Sequence, residues 1–279
     1  MTTPPSPPPT ALSIAGSDPS GGAGIQADLK TFSALGTYGM CVITALTAQS
    51  TQGVTGVHAV PADFVTQQLE TLLGDITPDA VKIGMLADAD VTRAVGRVLG
   101  RLRAEEDDEL PIVLDPVMVA TSGDRLLDES AVAAVRELVP LASIITPNLP
   151  EAAVLLDAEP ATTVDEMVEQ ARALVTAGAR RAYVKGGHHT GTEQATDVLA
   201  DTHGHVLVTA ERVPTRHTHG TGCTLSSALA ALRPRRPDWE TTCRDAKSWL
   251  TEALRHADEL HVGHGHGPVH HFHDVWSRA

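Results

Sequence analysis

Aromatic residues and cysteines are scarce in this 279-residue chain. Only 3% of the residues are aromatic although 42% are hydrophobic, so Ala, Val, Leu and Ile must form most of the core. Such a composition is typical of helices packed on a sheet and disfavours an aromatic-rich β-sandwich. The three cysteines, Cys41, Cys223 and Cys243, are odd in number and widely spaced. This pattern argues against a disulfide framework and indicates a reduced compartment.

No apolar run approaches the roughly 20 residues of a membrane span, which argues against a membrane partner. The segment Met1–Thr10 is rich in Thr, Pro and Ser and lacks the basic and apolar regions of a signal peptide. We interpret residues 1–10 as a short disordered leader and predict a cytoplasmic protein. The formal net charge of -14 repels phosphate backbones, so nucleic acid is not expected as a partner. A nucleotide ligand is still compatible, because backbone amides and a few cations bind phosphates locally.

Short β-like runs alternate with longer helical patterns along the chain. The predicted strands are Leu12–Ala15, Val42–Leu46, Val81–Ile83, Ile112–Leu114, Ser143–Ile145 and Ala182–Val184, with a hairpin formed by Asp197–Ala200 and Val206–Thr209. The predicted helices are Ile25–Leu35, a helix opened by Pro61, Asp90–Arg103, Glu129–Leu138, Val164–Ala177, Gly222–Leu232 and Trp239–Glu259. Apolar strands joined by helices indicate an α/β fold with a mostly parallel central sheet and helices on both faces. No linker or composition shift divides the chain after the leader, so residues 11–279 are predicted to form a single domain.

Residues with unusual chemistry follow the predicted strands, one group after another. These groups are Gly16–Gly24, Lys82–Leu86, Asp115–Met118, Thr146–Glu151 and Lys185–His188. In open parallel sheets, ligands bind beyond the carboxyl ends of the strands. The five groups therefore predict one binding site at that edge.

A further glycine-rich segment, Thr218-His219-Gly220-Thr221-Gly222-Cys223, comes just before a predicted helix. Glycines allow successive N–H groups to face one point, and the helix dipole adds positive potential there. The segment is compatible with an anion hole for a transferring phosphoryl group, and equally with an ordinary glycine turn that carries a small buried cysteine. Cys223 would lie in the first helical turn, where the pKa of a thiol is lowered.

Taken together and in this order, the six segments resemble the hydroxymethylpyrimidine/phosphomethylpyrimidine kinases of the ribokinase-like superfamily. The similarity runs from about Ala11 to the C-terminus and includes the ending Gly263–His273. It implies a three-layer ribokinase-like fold and ATP-dependent phosphorylation of 4-amino-5-hydroxymethyl-2-methylpyrimidine, and of its monophosphate, in thiamine biosynthesis. ATP and Mg²⁺ would be the cofactors, the pyrimidine would be the substrate, and a homodimer is expected.

By the same resemblance, the pyrimidine pocket would be lined by Asp28, Gln49, Met85, Gly16 and Ala23. A carboxylate and an amide suit the donor and acceptor edge of an aminopyrimidine, and a methionine packs against its face. Each of these side chains also has an ordinary alternative, namely a solvent-facing helix position for the aspartate, a loop for the glutamine and the core for the methionine.

The implied catalytic group is Cys223, which would accept the proton of the substrate hydroxyl beside the amides of Gly220, Thr221 and Gly222. Most ribokinase-like kinases have an aspartate at this position, whereas the pyrimidine kinases resemble this chain in having cysteine. A thiol with a reference pKa of about 8.5 must move toward neutrality for this role.

The resemblance also assigns residues to ATP and to the metal. Lys185 would be a point charge on the phosphates, with Gly186 and Gly187 allowing close approach and Thr218 and Asn148 binding nearby. Mg²⁺, which keeps several waters, would be held by Glu151 and Asp115. The pattern Asn148-Leu149-Pro150-Glu151 is also that of a helix capping box, and both functions are compatible.

Two alternatives to this function stay open, a pyridoxal or pyridoxine kinase and a non-catalytic pyrimidine-binding protein. Gln49, Met85 and Cys223 together favour the pyrimidine kinase. The histidines near the end of the chain have no cysteine partner and are interrupted by Gly and Pro, so a defined zinc site is not expected. No function is predicted for them; they are His261, His264, His266, His270, His271 and His273.

Overall fold

The computed structural model describes residues 6–106, 109–118, 129–187 and 193–276. Its strands are β1 (Thr10–Ala15), β2 (Tyr38–Ile43), β3 (Ala45–Ser50), β4 (Gly53–Ala59), β5 (Ala80–Ile83), β6 (Ile112–Leu114), β7 (Ile144–Ile145), β8 (Arg181–Val184), β9 (Gln194–Asp201) and β10 (Gly204–Glu211). The main sheet has the order β10-β9-β8-β7-β6-β5-β1-β2. Neighbours from β2 to β8 are parallel, whereas β9 and β10 form an antiparallel hairpin on β8. The predicted, mostly parallel sheet is confirmed.

The central strands are buried on both faces, which explains their unbroken apolar sequences. In β6, Ile112 and Leu114 belong to one core cluster and Val113 belongs to the other, as the alternation of side chains along a strand requires. The sheet is thus the middle layer of three.

The helices are α1 (Gly24–Ala34), α2 (Ala62–Leu73), α3 (Ala89–Glu105), α4 (Glu129–Leu138), α5 (Leu149–Leu156), α6 (Val164–Thr176), α7 (Thr221–Leu232), α8 (Trp239–Arg255) and the short α9 (His273–Trp276). Buried side chains of α3, α4 and α6 pack on one face of the sheet, and those of α7 and α8 pack on the other. The predicted helices on both faces are confirmed.

A separate hairpin stands beside the main sheet and corrects one predicted strand. The sequence predicted a single strand over Val42–Leu46, but the chain leaves the sheet at Thr44, whose hydroxyl donates to the carbonyl oxygen of Met85 at 2.7 Å. Strand β3 then pairs with β4 in a two-stranded antiparallel sheet. The hairpin carries Gln49 beyond the carboxyl end of β1, where the binding site was predicted.

The last part of the chain returns to the same edge of the sheet. Helix α8 ends at Arg255 rather than at Glu259, and a 3₁₀ turn follows at Ala257–Leu260. Residues 261–272, called the C-terminal tail below, then pack on the loops beyond the strands. The division into a leader (residues 1–10) and a single domain (residues 11–279) stays a prediction, and β1 begins at Thr10. Among the described helices, none has the length and apolar character required to cross a membrane.

Candidate active site

One carboxylate organises the loop that follows β1, called the glycine loop (Gly16–Gly24). Asp18 is buried and accepts hydrogen bonds from the backbone amides of Ser20, Gly22 and Ala23 at 2.9, 3.2 and 2.8 Å. These three bonds fix its backbone, so the loop has a defined shape.

The glycine loop interlocks with the α7 turn (Thr218–Cys223). His219 Nε2 lies 2.7 Å from Asp18 Oδ2, and both side chains are buried. Gly220 has a φ of 75°, and a Cβ atom on it would lie only 1.8 Å from the carbonyl oxygen of Gly22. Only glycine fits there, because it alone adopts this conformation readily and leaves room for the neighbouring loop.

The α7 turn presents fewer free amides than its sequence suggested. The N–H of Thr221 donates to the carbonyl oxygen of Thr218 at 3.2 Å, so it is already used inside the turn. Gly222 and Cys223 follow as the next residues of α7, where amides have no partner within a helix. These two N–H groups, together with the positive end of the helix dipole, are the groups of the turn that can bind an anion.

A charged cluster lies directly against this helix start. Lys185 Nζ is 2.8 Å from Asp115 Oδ1 and 4.0 Å from Glu151 Oε2. A Cβ atom on Gly222 would lie 3.2 Å from the Lys185 ammonium nitrogen and 3.7 Å from Asp115 Oδ2. The ends of β6 and β8 and the start of α5 therefore bring a cation and two carboxylates to the beginning of α7.

The two carboxyl groups of this cluster differ in ionisation. Burial alone would raise the pKa of Asp115, but the nearby charges of Lys185 and Lys82 hold it below the usual value. Burial raises the pKa of Glu151 to about 7, because Lys185 offsets the loss of water only in part. Glu151 also forms the predicted capping box with Asn148, in which each side chain accepts from the other residue's amide.

Of the two glycines after β8, the first is required by packing within the protein. The N–H of Gly186 donates to Asp197 Oδ1 at 2.9 Å, and a Cβ atom on Gly186 would lie 2.1 Å from the carbonyl oxygen of Thr196. Packing against β9 thus requires this glycine, and its amide is already used, so a phosphate contact through Gly186 is not supported. Gly187 is exposed, with open space around its Cα atom. His188, the last residue of the predicted segment, lies outside the described residues.

Cys223 lies between the starts of two helices. It is the third residue of α7, and the backbone N–H of Gly24, the first residue of α1, donates to its sulfur. Burial raises the pKa of the thiol to about 11, although the positive charge of Lys82 opposes this effect. The prediction of a lowered pKa was wrong, because withdrawal from water outweighs the field of the helix start.

Asp28 lies beneath the site rather than at its surface. Its side chain is fully buried, with both oxygens 2.9 Å from Lys82 Nζ and further bonds from the hydroxyls of Ser13 at 2.5 Å and Ser227 at 2.6 Å. Burial would lower the pKa of Lys82, but the neighbouring charge of Asp28 raises it above its ordinary value. Ser227 is one helical turn after Cys223, so the ion pair lies under the thiol. A direct contact from Asp28 to a pyrimidine is not supported by this burial.

Sequence reasoning missed the partner of this aspartate. Lys82 stands inside the buried strand Ala80–Ile83, where a charge is rare unless it is paired. The position of this lysine in an apolar strand was therefore the feature of the sequence that could have predicted a buried ion pair.

The other predicted pocket residues do meet. The N–H of Gly16 donates to the carbonyl oxygen of Met85 at 3.1 Å, and a Cβ atom on Gly16 would lie 2.6 Å from Met85 Cε. Gln49 joins the same group through Thr47, whose hydroxyl lies 3.2 Å from Gln49 Oε1 and donates to the carbonyl oxygen of Ser17 at 2.8 Å. Ala23, on the glycine loop, is tied to Asp18 as described.

A cavity of about 240 Å³ extends from Gln49 toward the α7 turn. The residues that line it are Gln49, Ser50, Thr51, Gln52, Gly53, His219 and His266. His266 belongs to the C-terminal tail, for which the sequence predicted no function.

The C-terminal tail is packed tightly against this cavity and the α7 turn. The N–H of Gly265 donates to Thr51 Oγ1 at 3.2 Å, and the N–H of His219 donates to the carbonyl oxygen of Gly267 at 3.1 Å. Farther along, His271 Nε2 lies 3.0 Å from the Thr224 hydroxyl in the first turn of α7. The tail therefore helps to hold the site in place, a function that its repetitive His and Gly sequence did not indicate.

Within the described residues, no group of three or more His, Cys, Asp or Glu side chains forms a ready metal site. Asp115 and Glu151, which flank Lys185, nevertheless fit Mg²⁺, because this ion keeps several waters and is often held by only one or two carboxylates. At a pKa of about 7 the side chain of Glu151 is only partly ionised at neutral pH, and a bound cation would favour its ionised form.

Comparisons with known proteins agree on one family. The family model described as phosphomethylpyrimidine kinase matches residues 18–270. The hydroxymethylpyrimidine/phosphomethylpyrimidine kinase of Escherichia coli (strain K12) is 56% identical over 267 residues, covering 95% of this chain and 98% of that protein.

Solved structures extend the likeness to the fold. The ADP complex of Bacillus subtilis pyridoxal kinase has a TM-score of 0.85 and 35% identity, covering 95% of this chain and 97% of that one. The Staphylococcus aureus pyridoxal kinase in complex with AMP-PCP and pyridoxal has a TM-score of 0.84 and 30% identity, covering 96% of each chain.

Proposed function

The chain belongs to the phosphomethylpyrimidine kinase family, with its ribokinase-like three-layer fold, and we propose that it transfers the γ-phosphate of ATP to 4-amino-5-hydroxymethyl-2-methylpyrimidine. A second transfer, to the resulting monophosphate, yields the diphosphate used in thiamine biosynthesis. The observation that carries the proposal is the meeting of Lys185, Asp115 and Gly222 at the start of α7, beside Cys223. A phosphoryl group transferred there has a cation on one side and free amides on the other.

Charge stabilisation is the main task of this arrangement. The amides of Gly222 and Cys223 receive the oxygens of the transferring group, and Lys185 binds the nucleotide phosphates as a point charge. Asp115 and Glu151 would hold Mg²⁺, which would neutralise phosphate charge when bound. Asn148 acts by holding Glu151 in place through the capping box.

The acceptor is held by the opposite wall. Gly16 and Ala23 bring backbone close to the ring, Met85 packs on its face, and the amide of Gln49 binds its polar edge. The hydroxymethyl group then points to Cys223, between the starts of α1 and α7.

Cys223 is the group we assign to the hydroxyl proton, although its ionisation is unfavourable in the free protein. A pKa of about 11 means that forming the thiolate at pH 7 costs about 5 kcal/mol. Only the thiolate can accept this proton, and the loose transition state of phosphoryl transfer needs little help from a base until late, so a small thiolate fraction is sufficient. The Lys82 ammonium beneath the thiol favours the anion.

Turnover measurements separate this function from its alternatives. We expect ATP-dependent phosphorylation of the hydroxymethylpyrimidine to exceed that of pyridoxal in kcat/KM. A preference for pyridoxal would favour the activity named for the structural neighbours, and binding without turnover would favour a non-catalytic protein.

A cysteine series tests the assigned base. Cys223→Ala should lower kcat by about a hundredfold or more, in the range of lost general-base catalysis. Cys41→Ala, at another half-buried cysteine, is the matched control and should change it little. Full activity in Cys223→Ala would contradict the assignment while leaving the family membership intact. The homodimer and the cytoplasmic location remain predictions, the first of which sedimentation would test.

A further inference from the structure

The cavity between the β3–β4 hairpin and the C-terminal tail joins the two halves of the proposed reaction site. At one end Gln49 belongs to the pyrimidine pocket, and at the other His219 is part of the α7 turn. A volume of about 240 Å³ corresponds to about eight water molecules at roughly 30 Å³ each, which is ample for a phosphate group. The monophosphate carries such a group and the hydroxymethylpyrimidine does not.

The lining of the cavity suits an anion. It offers the hydroxyls of Ser50 and Thr51 and the imidazole of His266, whereas Nε2 of His219 is already bonded to Asp18. Among the described residues that line the cavity, none is acidic. The carboxylate of Asp18, which contacts the lining residue His219, is also bonded to three backbone amides, so its charge is balanced locally.

His266 is oriented so that one of its ring nitrogens is available. Its Nδ1 lies 2.9 Å from the carbonyl oxygen of Arg216, and because a carbonyl only accepts, Nδ1 must carry the proton. Nε2 is then the nitrogen left for a ligand, and it donates to an anion when the ring is protonated. The tail holds this ring in place, since the N–H of Gly265 is bonded to Thr51 and the N–H of Gly267 to His217 Nδ1 at 3.0 Å.

We propose that this cavity binds the phosphate of the monophosphate substrate in the second phosphorylation and that His266 is its positioning residue. The proposal rests on the proposed function. One non-bridging oxygen of that phosphate attacks the γ-phosphorus of ATP, and the bond from this phosphorus to the β,γ-bridging oxygen breaks. ADP leaves with the electron pair, and the acceptor becomes a diphosphate. His219 is adjacent to Gly220 in the α7 turn, so a phosphate in the cavity is next to the transferring group.

Two replacements of His266 separate its two nitrogens. His266→Asn keeps a donor near the position of Nδ1 for the Arg216 carbonyl but removes Nε2. His266→Gln keeps a donor near the position of Nε2 and loses the other. The matched control is His264→Asn, because His264 is an exposed histidine of the same tail two residues away.

The measurement is the ratio of kcat/KM for the monophosphate to kcat/KM for the alcohol, with both reactions followed by ADP release. We expect His266→Asn to lower this ratio about ten- to hundredfold through a higher KM for the monophosphate, as the loss of one charge-assisted hydrogen bond implies. His266→Gln should recover a part of the ratio, and His264→Asn should leave it unchanged. The melting temperature of each variant identifies any loss of folding.

An unchanged ratio in His266→Asn would overturn the proposal, as would an equal fall for both substrates. A wild-type protein that phosphorylates the alcohol but never the monophosphate would overturn it too. A wild-type protein that phosphorylates neither compound would instead contradict the proposed function itself.

Discussion

Replacing Asp28 by asparagine removes a negative charge from a place that solvent does not reach. The single oxygen of the new amide could still accept from the hydroxyl of Ser13 or of Ser227, but not from both in their present positions, and the Lys82 ammonium would lose the charged partner that lies 2.9 Å away. Breaking a buried ion pair by removing one member costs about 3–5 kcal/mol, because the other charge is left uncompensated. We therefore expect Asp28→Asn to be strongly destabilised at pH 7.

The cost can also be calculated from the pKa of Lys82, and this calculation predicts how the destabilisation depends on pH. Lys82 can relieve the loss by giving up its proton, and moving its pKa from about 10.4 to below 7 costs about 4.6 kcal/mol at roughly 1.4 kcal/mol per unit. In the variant the unfolded chain then binds one proton more than the folded chain, so stability rises with pH. The destabilisation should shrink by about 1.4 kcal/mol per pH unit between pH 7 and 10. The wild-type pair shows no such slope there, since the raised pKa of Lys82 keeps both states protonated below the unfolded value.

Urea unfolding at several pH values measures this effect. The double variant Lys82→Met/Asp28→Asn removes both charges and should regain most of the lost stability, which distinguishes an unpaired charge from damaged packing. A single variant that stays within about 1 kcal/mol of wild type at pH 7, while its KM for the pyrimidine rises, would refute the argument. That result would support the direct contact between Asp28 and the substrate that is expected from the sequence.

Three further predictions follow from the site and from the residues that hold it in place. Alkylation of Cys223 by iodoacetamide should accelerate about tenfold per pH unit from pH 7 to 10, because its pKa is raised to about 11, and a plateau near pH 8 would contradict this. Burial lowers the pKa of His271 to about 3, whereas the pKa in the unfolded chain is about 6.5, so the folded protein should lose about 1.4 kcal/mol of stability per pH unit as pH falls below about 6.5. His271→Gln should flatten this slope, measured by urea unfolding between pH 6 and 4, and the exposed His264→Gln should not. Gly220→Ala should abolish most turnover in a steady-state assay, whereas Gly36→Ala, with a similar φ of 68° but with only the end of the Arg235 side chain near its new Cβ atom, at 3.6 Å, should lose only about 1–2 kcal/mol of stability and keep its activity.

The parts of the fold that follow from local chemistry were readable from the sequence. Strand β6 and helix α4 lie at the predicted bounds, and the capping box of Asn148 and Glu151 is present. These features depend on apolar runs and on side chains three residues apart, so neighbouring letters are sufficient to define them.

The features that sequence reasoning missed depend on distant partners. A lysine in an apolar strand does not indicate that Asp28 is its ion-pair partner. The sequence around Gly186 is compatible with a phosphate-binding glycine, and only the structure shows that β9 fills the space beside it. The pKa of Cys223 was misjudged for the same reason, since its burial comes from α1 and the strands rather than from its own helix. The β3–β4 hairpin escaped because its exposed strands lack a continuous apolar signal.

The bond between Asp18 and His219 spans 201 residues, and the bond between Thr51 and Gly265 spans 214. A nascent chain that has not yet reached residue 218 therefore has the glycine loop but neither the turn nor the tail that completes the site. Phosphoryl transfer has to wait until the tail has been synthesised, so chains whose synthesis stops before residue 218 should consume no ATP.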